Sequence, residues 1–542
     1  MANAISTTPV PRNEPVLGYL PDSAERNALG LELKRLKSER LAIPVVVGGE
    51  KRFHSNKVPV VIPHNHKHVL AEVSQATKAD AEDAVKSCLA SRAAWAALPW
   101  EERAAVFLKA ADLLAGKYRA QINAATMLGQ SKSAHQAEID AACELIDFFR
   151  FNAHFAERVY SEQPESSPGM WNRSEARGLE GFVYAITPFN FTSIAVNLPA
   201  APALMGCAVI WKPSPTSMLS SYIALEVLEE AGLPPGIINM LPGDPLIISD
   251  VLMKHPELSG IHFTGSTPTF NQLWKEVAKN IEVYRSYPRI VGETGGKDFI
   301  FAHPSADPAQ VVTGMVRGAF EFQGQKCSAA SRAFIPKSLW SAVEKSLVAT
   351  VKELKIGDIE DYTNFLGAVI DKRSFDKIKG YIEAAKNTEQ ARILVGGICD
   401  DSVGYFIHPT VIEAYDPNFK TMTEEIFGPV LSVYVYEDKD LDATIALCDR
   451  SSPYALTGAI YAQDRLAISR LTKAFEHSAG NFYVNDKPTG AVVGQQPFGG
   501  GRRSGTNDKA GSIFNLLRWV SHRTIKENFV PYTDYRYPFM KN

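Results

Sequence analysis

No excess of either charge marks this chain: 57 Lys and Arg stand against 60 Asp and Glu, a formal net charge of -3. A surface without a strong field offers little to nucleic acid or to an anionic membrane, so neither is expected as a partner. Apolar runs long enough to cross a bilayer are also missing. The nearest, 195–211, is interrupted by Asn197, Pro199 and Pro202 and reads as a buried core segment. The six cysteines (Cys88, Cys143, Cys207, Cys327, Cys399, Cys448) are scattered, with no C-x-x-C and no His/Cys ligand spacing. That argues against a disulfide frame and a zinc site; free thiols in a reducing compartment, and no bound metal, are expected. Residues 1–13 carry Arg12 as their one charged side chain, so no Arg-rich targeting peptide is visible there. Internal repeats, low-complexity tracts and the G-x-G-x-x-G dinucleotide fingerprint are absent too; Gly499-Gly500-Gly501 lies far from any strand-to-helix opening.

What is present is 542 residues of ordinary globular composition, 45% hydrophobic and 22% charged, enough for two to four domains. From about 78 to 160 apolar residues recur three and four apart, the helical period, with Leu98-Pro99, Gly116 and Gly129 as punctuation. These helices read as scaffold. Residues 161–177 are polar and broken by Pro164 and Pro168, an expected loop or exposed hairpin. Short apolar runs at 181–186, 207–211, 236–240 and 259–263 then alternate with helical stretches such as 217–231. Continuous apolar strands separated by helices imply a parallel sheet covered on both faces, with ligands beyond the carboxyl ends of its strands. A second α/β portion follows from about residue 304.

The polar residues past those strand ends are therefore the candidates for chemistry. They are Thr187 and Asn190, then Lys212 and Ser214, then Gly243, then Gly265 and Ser266, then Glu293 among Gly292, Gly295 and Gly296. Each has a plain reading. A lysine after a strand is commonplace, Thr264-Gly265-Ser266 can simply cap a helix, and Asn190 can be a turn residue. Each also has a chemical one: a cation and hydroxyl for a ribose, N–H groups for a pyrophosphate, an amide donor for an oxyanion, a carboxylate base on a mobile loop. Cys327 stands in Gly324-Gln325-Lys326-Cys327-Ser328, between small and polar residues and beside a lysine. A thiol kept for packing sits among aliphatics, whereas a reactive one needs access, a positive neighbour and backbone donors.

Taken together, P-F-N-F at 188–191, W-K-P-S at 211–214, F-T-G-S at 263–266, E-T-G-G-K at 293–297, G-Q-K-C at 324–327, E-E-I-F-G-P at 424–429 and P-F-G-G at 497–500 occur in order across most of the chain. This set resembles the aldehyde dehydrogenase superfamily, whose variant Rossmann domain binds NAD without the usual fingerprint. Residues 144–152, Thr489-Gly490-Ala491, 495–500 and 504–508 extend the resemblance to the eukaryotic, mitochondrial members that oxidise glutamate γ-semialdehyde, the second step of proline breakdown. The fused bacterial form is not expected, since no second catalytic module is visible.

The resemblance implies an α/β fold with three parts: a variant Rossmann NAD-binding domain with N-terminal helices (1–163 and 180–295), an α/β catalytic domain (296–505), and an oligomerisation flap and tail (164–179 and 506–542). It implies Cys327 as nucleophile, Asn190 as oxyanion donor and Glu293 as the base that activates water. Thr187, Lys212, Ser214, Gly243, Gly265, Ser266, Glu425 and Phe427 would hold NAD. Phe191 and Phe498 would box the aliphatic chain of the substrate, and Ser328, Gly490 and Ala491 would grip its α-carboxylate. Many members carry Ser where this chain has Ala491, so one hydroxyl is lost and backbone N–H groups must suffice. A homodimer or dimer of dimers in the mitochondrial matrix is expected on the same ground. A general aldehyde dehydrogenase, a CoA-acylating relative and an inactive structural homologue are the alternatives; intact Cys327, Glu293 and Asn190 argue against the last.

Overall fold

The computed structural model describes residues 5–540; the outermost ends of the expected N-terminal segment and tail, 1–4 and 541–542, lie outside the described residues. Two seven-stranded sheets organise them. In the first, parallel strands run in the order Arg289–Glu293, Leu258–Thr264, Phe182–Ile186, Ala208–Lys212, Ile238–Met240, and the antiparallel pair Val45–Val47 and Glu50–Arg52 closes the edge. The expected strands are found within one or two residues. The third is shorter than 236–240 because Gly236 turns through φ +86° before the strand begins.

Alternate residues of these strands feed opposite cores, as the period of two requires. Phe182, Tyr184, Ala208 and Ile210 pack on one face; Val183, Ala185, Val209 and Trp211 pack on the other. Each fully buried aromatic contributes roughly 1.5–3 kcal/mol of transfer free energy. The chain leaves Phe182–Ile186 in one direction towards Ala208–Lys212 and later returns on its other side as Leu258–Thr264. The crevice between the carboxyl ends of those two neighbours is a topological switch point, where open α/β sheets bind ligands. The second sheet has the order Ala391–Val395, Thr410–Ala414, Val430–Tyr436, Ala330–Pro336, Asp298–Ala302, Thr457–Tyr461, Asn481–Val484; all but the first are parallel.

The helical stretch resolves into Lys78–Ala97, Trp100–Ala115, Arg119–Gln130 and Leu145–Ser161, with a π-helical turn at Glu138–Glu144. Gly129 does not punctuate it: the stop is Ser131, left-handed at φ +55°. Within 195–211 a helix, Thr192–Leu204, contains both Pro199 and Pro202. Pro202 cannot donate to the Leu198 carbonyl, and His262 Nδ1 meets that carbonyl at 2.8 Å instead. The polar excursion becomes a strand, Met170–Gly178, paired antiparallel along nine residues with Val520–Asn528.

Candidate active site

The nucleophile loop begins where the helix Pro308–Phe320 ends. Phe322 and Gln323 are both left-handed, at φ +50° and +55°, a conformation that non-glycine residues adopt only when their surroundings hold them. The Gln323 amide does the holding: Nε2 donates to the Ser131 and Ala368 carbonyls at 2.9 and 2.7 Å, and Oε1 accepts from Gly367 N at 3.2 Å. Gln325 Oε1 accepts from Ile370 N at 2.9 Å, and the Gln325 carbonyl accepts from Asn190 Nδ2 at 3.1 Å. Asn190 is thus pinned to the backbone two residues before Cys327. Its second amide hydrogen has no protein acceptor among the described residues.

A buried ion pair sets the Asn190 side of this junction. Asp140, on the π-helical turn, accepts from Thr192 N and Ser193 N at 2.9 Å each and from Ser193 Oγ at 2.7 Å, which caps the helix that follows Asn190-Phe191. Lys132 Nζ meets Asp140 at 2.6 Å and stands over the rings of Phe191 and Phe322, 4.3 and 4.4 Å from their centroids. One ammonium therefore braces both loops by charge and by cation–π attraction.

Cys327, Glu293, Phe191, Ser328, Gly490, Ala491 and Phe498 all line one cavity of about 460 Å³. Asn190 reaches the site through the Gln325 carbonyl rather than as part of this lining. Burial pushes the Glu293 carboxyl well above the usual range; the Gly500 N–H at 3.4 Å and the Lys509 ammonium oppose this, and Asp508 adds to it. Burial likewise pushes the Cys327 thiol well up, reinforced by the carboxylates of Asp298, Glu293 and Glu425. The positive neighbour expected from the sequence does not serve the thiol: Lys326 Nζ pairs with Glu321 Oε2 at 3.3 Å. The glycines around Glu293 are there for close approach rather than mobility. A Cβ on Gly296 would lie 2.2 Å from the Cys327 carbonyl, and one on Gly295 2.3 Å from Glu425 Oε2.

The other expected set gathers at the strand ends. Ile186 and Lys212 are register partners, Thr187 N donates to the Lys212 carbonyl, and Thr187 Oγ1 accepts from Trp211 Nε1 at 2.9 Å. Lys212 is buried, and that burial, eased slightly by Asp244, lowers its ammonium to about 8. Among the described residues its ammonium hydrogen-bonds to the Pro213 carbonyl alone, at 3.3 Å. Ser214 Oγ lies 3.3 Å from Thr216 Oγ1, and a Cβ on Gly243 would lie 3.0 Å from Ala76 N. Gly265 N donates to the Glu293 carbonyl, while Ser266 caps the helix Thr267–Lys279. Glu425 Oε1 accepts from Gly296 N at 3.1 Å, and Phe427, at φ +62°, meets Phe189 edge-on with centroids 5.9 Å apart. Glu425 faces both sets, since its charge acts on Cys327.

Sequence reasoning missed several residues of the cavity wall. Ser328 Oγ lies 2.7 Å from Thr489 Oγ1, and Lys487, two residues earlier, also lines the cavity. Glu144 lines it as well, its carboxyl raised to about 8 by burial and then by Asp140, with Ser193 Oγ donating at 2.9 Å. The N–D–K–P–T–G run at 485–490 carried a signal for Lys487 and Thr489; a glutamate in a helical pattern carried none.

The chain matches the profile of the Aldehyde dehydrogenase family over residues 51–525. It is 53% identical over 540 residues to a Dictyostelium discoideum protein named Delta-1-pyrroline-5-carboxylate dehydrogenase, mitochondrial, covering 99% of this chain and 97% of that one. The human protein of the same name is 51% identical over 530 residues, 98% of this chain and 94% of that one. Among solved structures, the Delta-pyrroline-5-carboxylate dehydrogenase from Mycobacterium tuberculosis bound with NAD superposes with a TM-score of 0.97 at 55% identity, each chain covered in full. In fold and in sequence, this chain belongs to the aldehyde dehydrogenase family.

Proposed function

We propose that the chain oxidises L-glutamate γ-semialdehyde, in equilibrium with Δ1-pyrroline-5-carboxylate, to L-glutamate with NAD. The observation that carries this is a single cavity shared by the Cys327 thiol, the Glu293 carboxyl and the Ser328–Thr489–Gly490–Ala491 wall. The names of the relatives, and the NAD bound in the Mycobacterium tuberculosis structure, support the same substrate and cofactor here. Several of those relatives are named mitochondrial, which supports that compartment for this chain.

The strand ends fit NAD. A buried ammonium that, among the described residues, hydrogen-bonds only to a carbonyl and is eased slightly by Asp244, as Lys212 is, is costly unless a further polar group joins it. Thr187, Lys212, Ser214, Gly243, Gly265, Ser266, Glu425 and Phe427 would hold the cofactor, which supplies the hydride acceptor. Cys327 Sγ bonds to the aldehyde carbon as its proton leaves for water. The former carbonyl oxygen becomes an alkoxide held by Asn190 Nδ2 and the Cys327 N–H; loss of one such donor costs roughly 10²–10³ in rate. Departure of hydride from that carbon leaves a thioester on Cys327. Glu293 then takes a proton from water, the hydroxide attacks the thioester, and glutamate and the thiol are released. Phe191 and Phe498 flank the aliphatic chain, and Ser328 Oγ with the Gly490 and Ala491 N–H groups receives the α-carboxylate. A substrate panel tests the reading: NADH formation should be fastest with glutamate semialdehyde, slower with succinate semialdehyde and slowest with propanal. Equal rates on all three would favour a general aldehyde dehydrogenase.

The domain division expected above is proposed for this chain too, with 1–163 and 180–295 holding NAD, 296–505 carrying the thiol, and 164–179 with 506–542 serving association. A two-stranded ribbon such as Met170–Gly178 with Val520–Asn528 is marginal alone. Trp171, Phe529, Val530, Tyr532, Tyr535, Tyr537 and Phe539 are exposed on and beyond it. Apolar surface of that kind belongs in an interface, and a second copy of the chain is the proposed occupant. Removal of residues 529–542 should shift sedimentation from dimer or larger towards monomer; a full-length chain that sediments as a monomer at micromolar concentration would defeat the idea.

A further inference from the structure

The family profile begins at residue 51, yet Asn13, Glu14 and Val16 line the active-site cavity. Asn13 is a three-way clasp. Its Nδ2 donates to Asp147 Oδ2 and to the Val493 carbonyl, each at 2.8 Å, and its Oδ1 accepts from Gln495 Nε2 at 2.8 Å. The Glu14 N–H donates to Asp147 Oδ1 at 2.8 Å, and the Glu14 carboxylate pairs with Arg119 and Arg150. Farther along, Leu17 N and the Tyr19 hydroxyl donate to the two Glu138 oxygens at 2.9 and 2.7 Å. A segment assigned to no helix or strand is thus fastened at Asn13, Glu14, Leu17 and Tyr19. It joins the helix that carries Asp147 to the loop just beyond Gly490 and Ala491.

That loop has a particular need of fastening. Ala491 offers no hydroxyl, and the N–H groups of Gly490 and Ala491 have no protein acceptor among the described residues. A backbone donor recognises an anion only as well as its loop is held in place. Resting on the functional reading above, we propose that residues 13–17 form a specificity strap. Asn13 acts in it as a positioning residue, holding the 489–495 loop so that its N–H groups meet the substrate's α-carboxylate. The strap is then a part of substrate selection contributed by sequence outside the matched family segment.

The test compares Asn13→Ala, Gln495→Ala and the double variant, measuring kcat and KM for glutamate semialdehyde and for propanal with NAD. Each single change should lower the ratio of kcat/KM for glutamate semialdehyde to that for propanal by about tenfold, chiefly through KM, the scale of one well-placed hydrogen bond. Because the two side chains share a bond, the double variant should fall little further than either single one. Equal losses on both aldehydes, or single effects that multiply to about a hundredfold, would overturn the strap. Should Asn13→Ala not fold, the exposed Gln495 decides alone, and an unchanged ratio there counts against the proposal. A parent enzyme with no preference between the two aldehydes would instead overturn the functional reading itself; a clear preference that the variants leave untouched sinks only the strap.

Discussion

Cys327→Ala is expected to abolish NADH formation, by about 10⁴-fold or more, while NAD still binds in a calorimetric titration. No other cysteine is placed to replace the lost sulfur: Cys88, Cys207 and Cys448 are buried away from the cavity, Cys399 lies in a separate two-stranded ribbon, and Cys143, which does line the cavity, is turned to the Pro15 carbonyl and Glu138 Oε1 and held above its usual range by burial and by Glu138. Alanine at 327 leaves the bracing of the loop intact, since Gln323, Gln325 and Asn190 act through other atoms. The pH dependence follows from the same surroundings. Burial and three carboxylates hold the thiol above its usual range, and the thiolate is the attacking form. Turnover should therefore rise as pH increases, on an acid limb displaced upward from that of an unperturbed thiol. Retained turnover in the alanine variant would remove Cys327 from the mechanism.

Glu293→Gln should separate the two halves of the reaction. Acylation persists, deacylation slows by roughly 10²–10⁴, and a substrate-derived mass accumulates on the peptide that contains Cys327. Glutamine keeps an oxygen to accept from Gly500 N, so the local backbone has no cause to move. The unsubstituted enzyme should imitate this variant as pH falls: burial raises the Glu293 carboxyl, acidification neutralises it, and the acyl group should then linger. An unmodified Cys327 during turnover of the glutamine variant would refute the role.

Much of the first sheet was legible because its strands are uniformly apolar and bounded by glycine or proline; Phe182–Ile186 and Ala208–Lys212 differ from expectation by a residue. Four of the motifs, at 188–191, 211–214, 263–266 and 293–297, lie together because strand ends in a parallel sheet share one edge. What stayed hidden depends on distant partners. The residues of 161–177 do not themselves announce Val520–Asn528 as their neighbour, and only the resemblance grouped that excursion with the tail; a stretch such as 13–17 has no periodicity to detect. Buried charge was hidden too. Lys132 and Lys212 look like solvated lysines until Asp140 and the Pro213 carbonyl are seen beside them. The lysine next to Cys327 misled for the converse reason, since adjacency along the chain says little about where a long side chain ends.

The bond from Asn13 to the Val493 carbonyl spans 480 positions along the polypeptide. Closure over such a distance is slow, and during synthesis it must wait until nearly the whole chain has left the ribosome. Nascent or truncated molecules lacking the final fifty or so residues would keep the bonds of the amino-terminal segment to Asp147, Glu138 and Arg119 but leave Asn13 without Val493 and Gln495. Closure of that last pair of bonds would then mark the moment at which the molecule is finished.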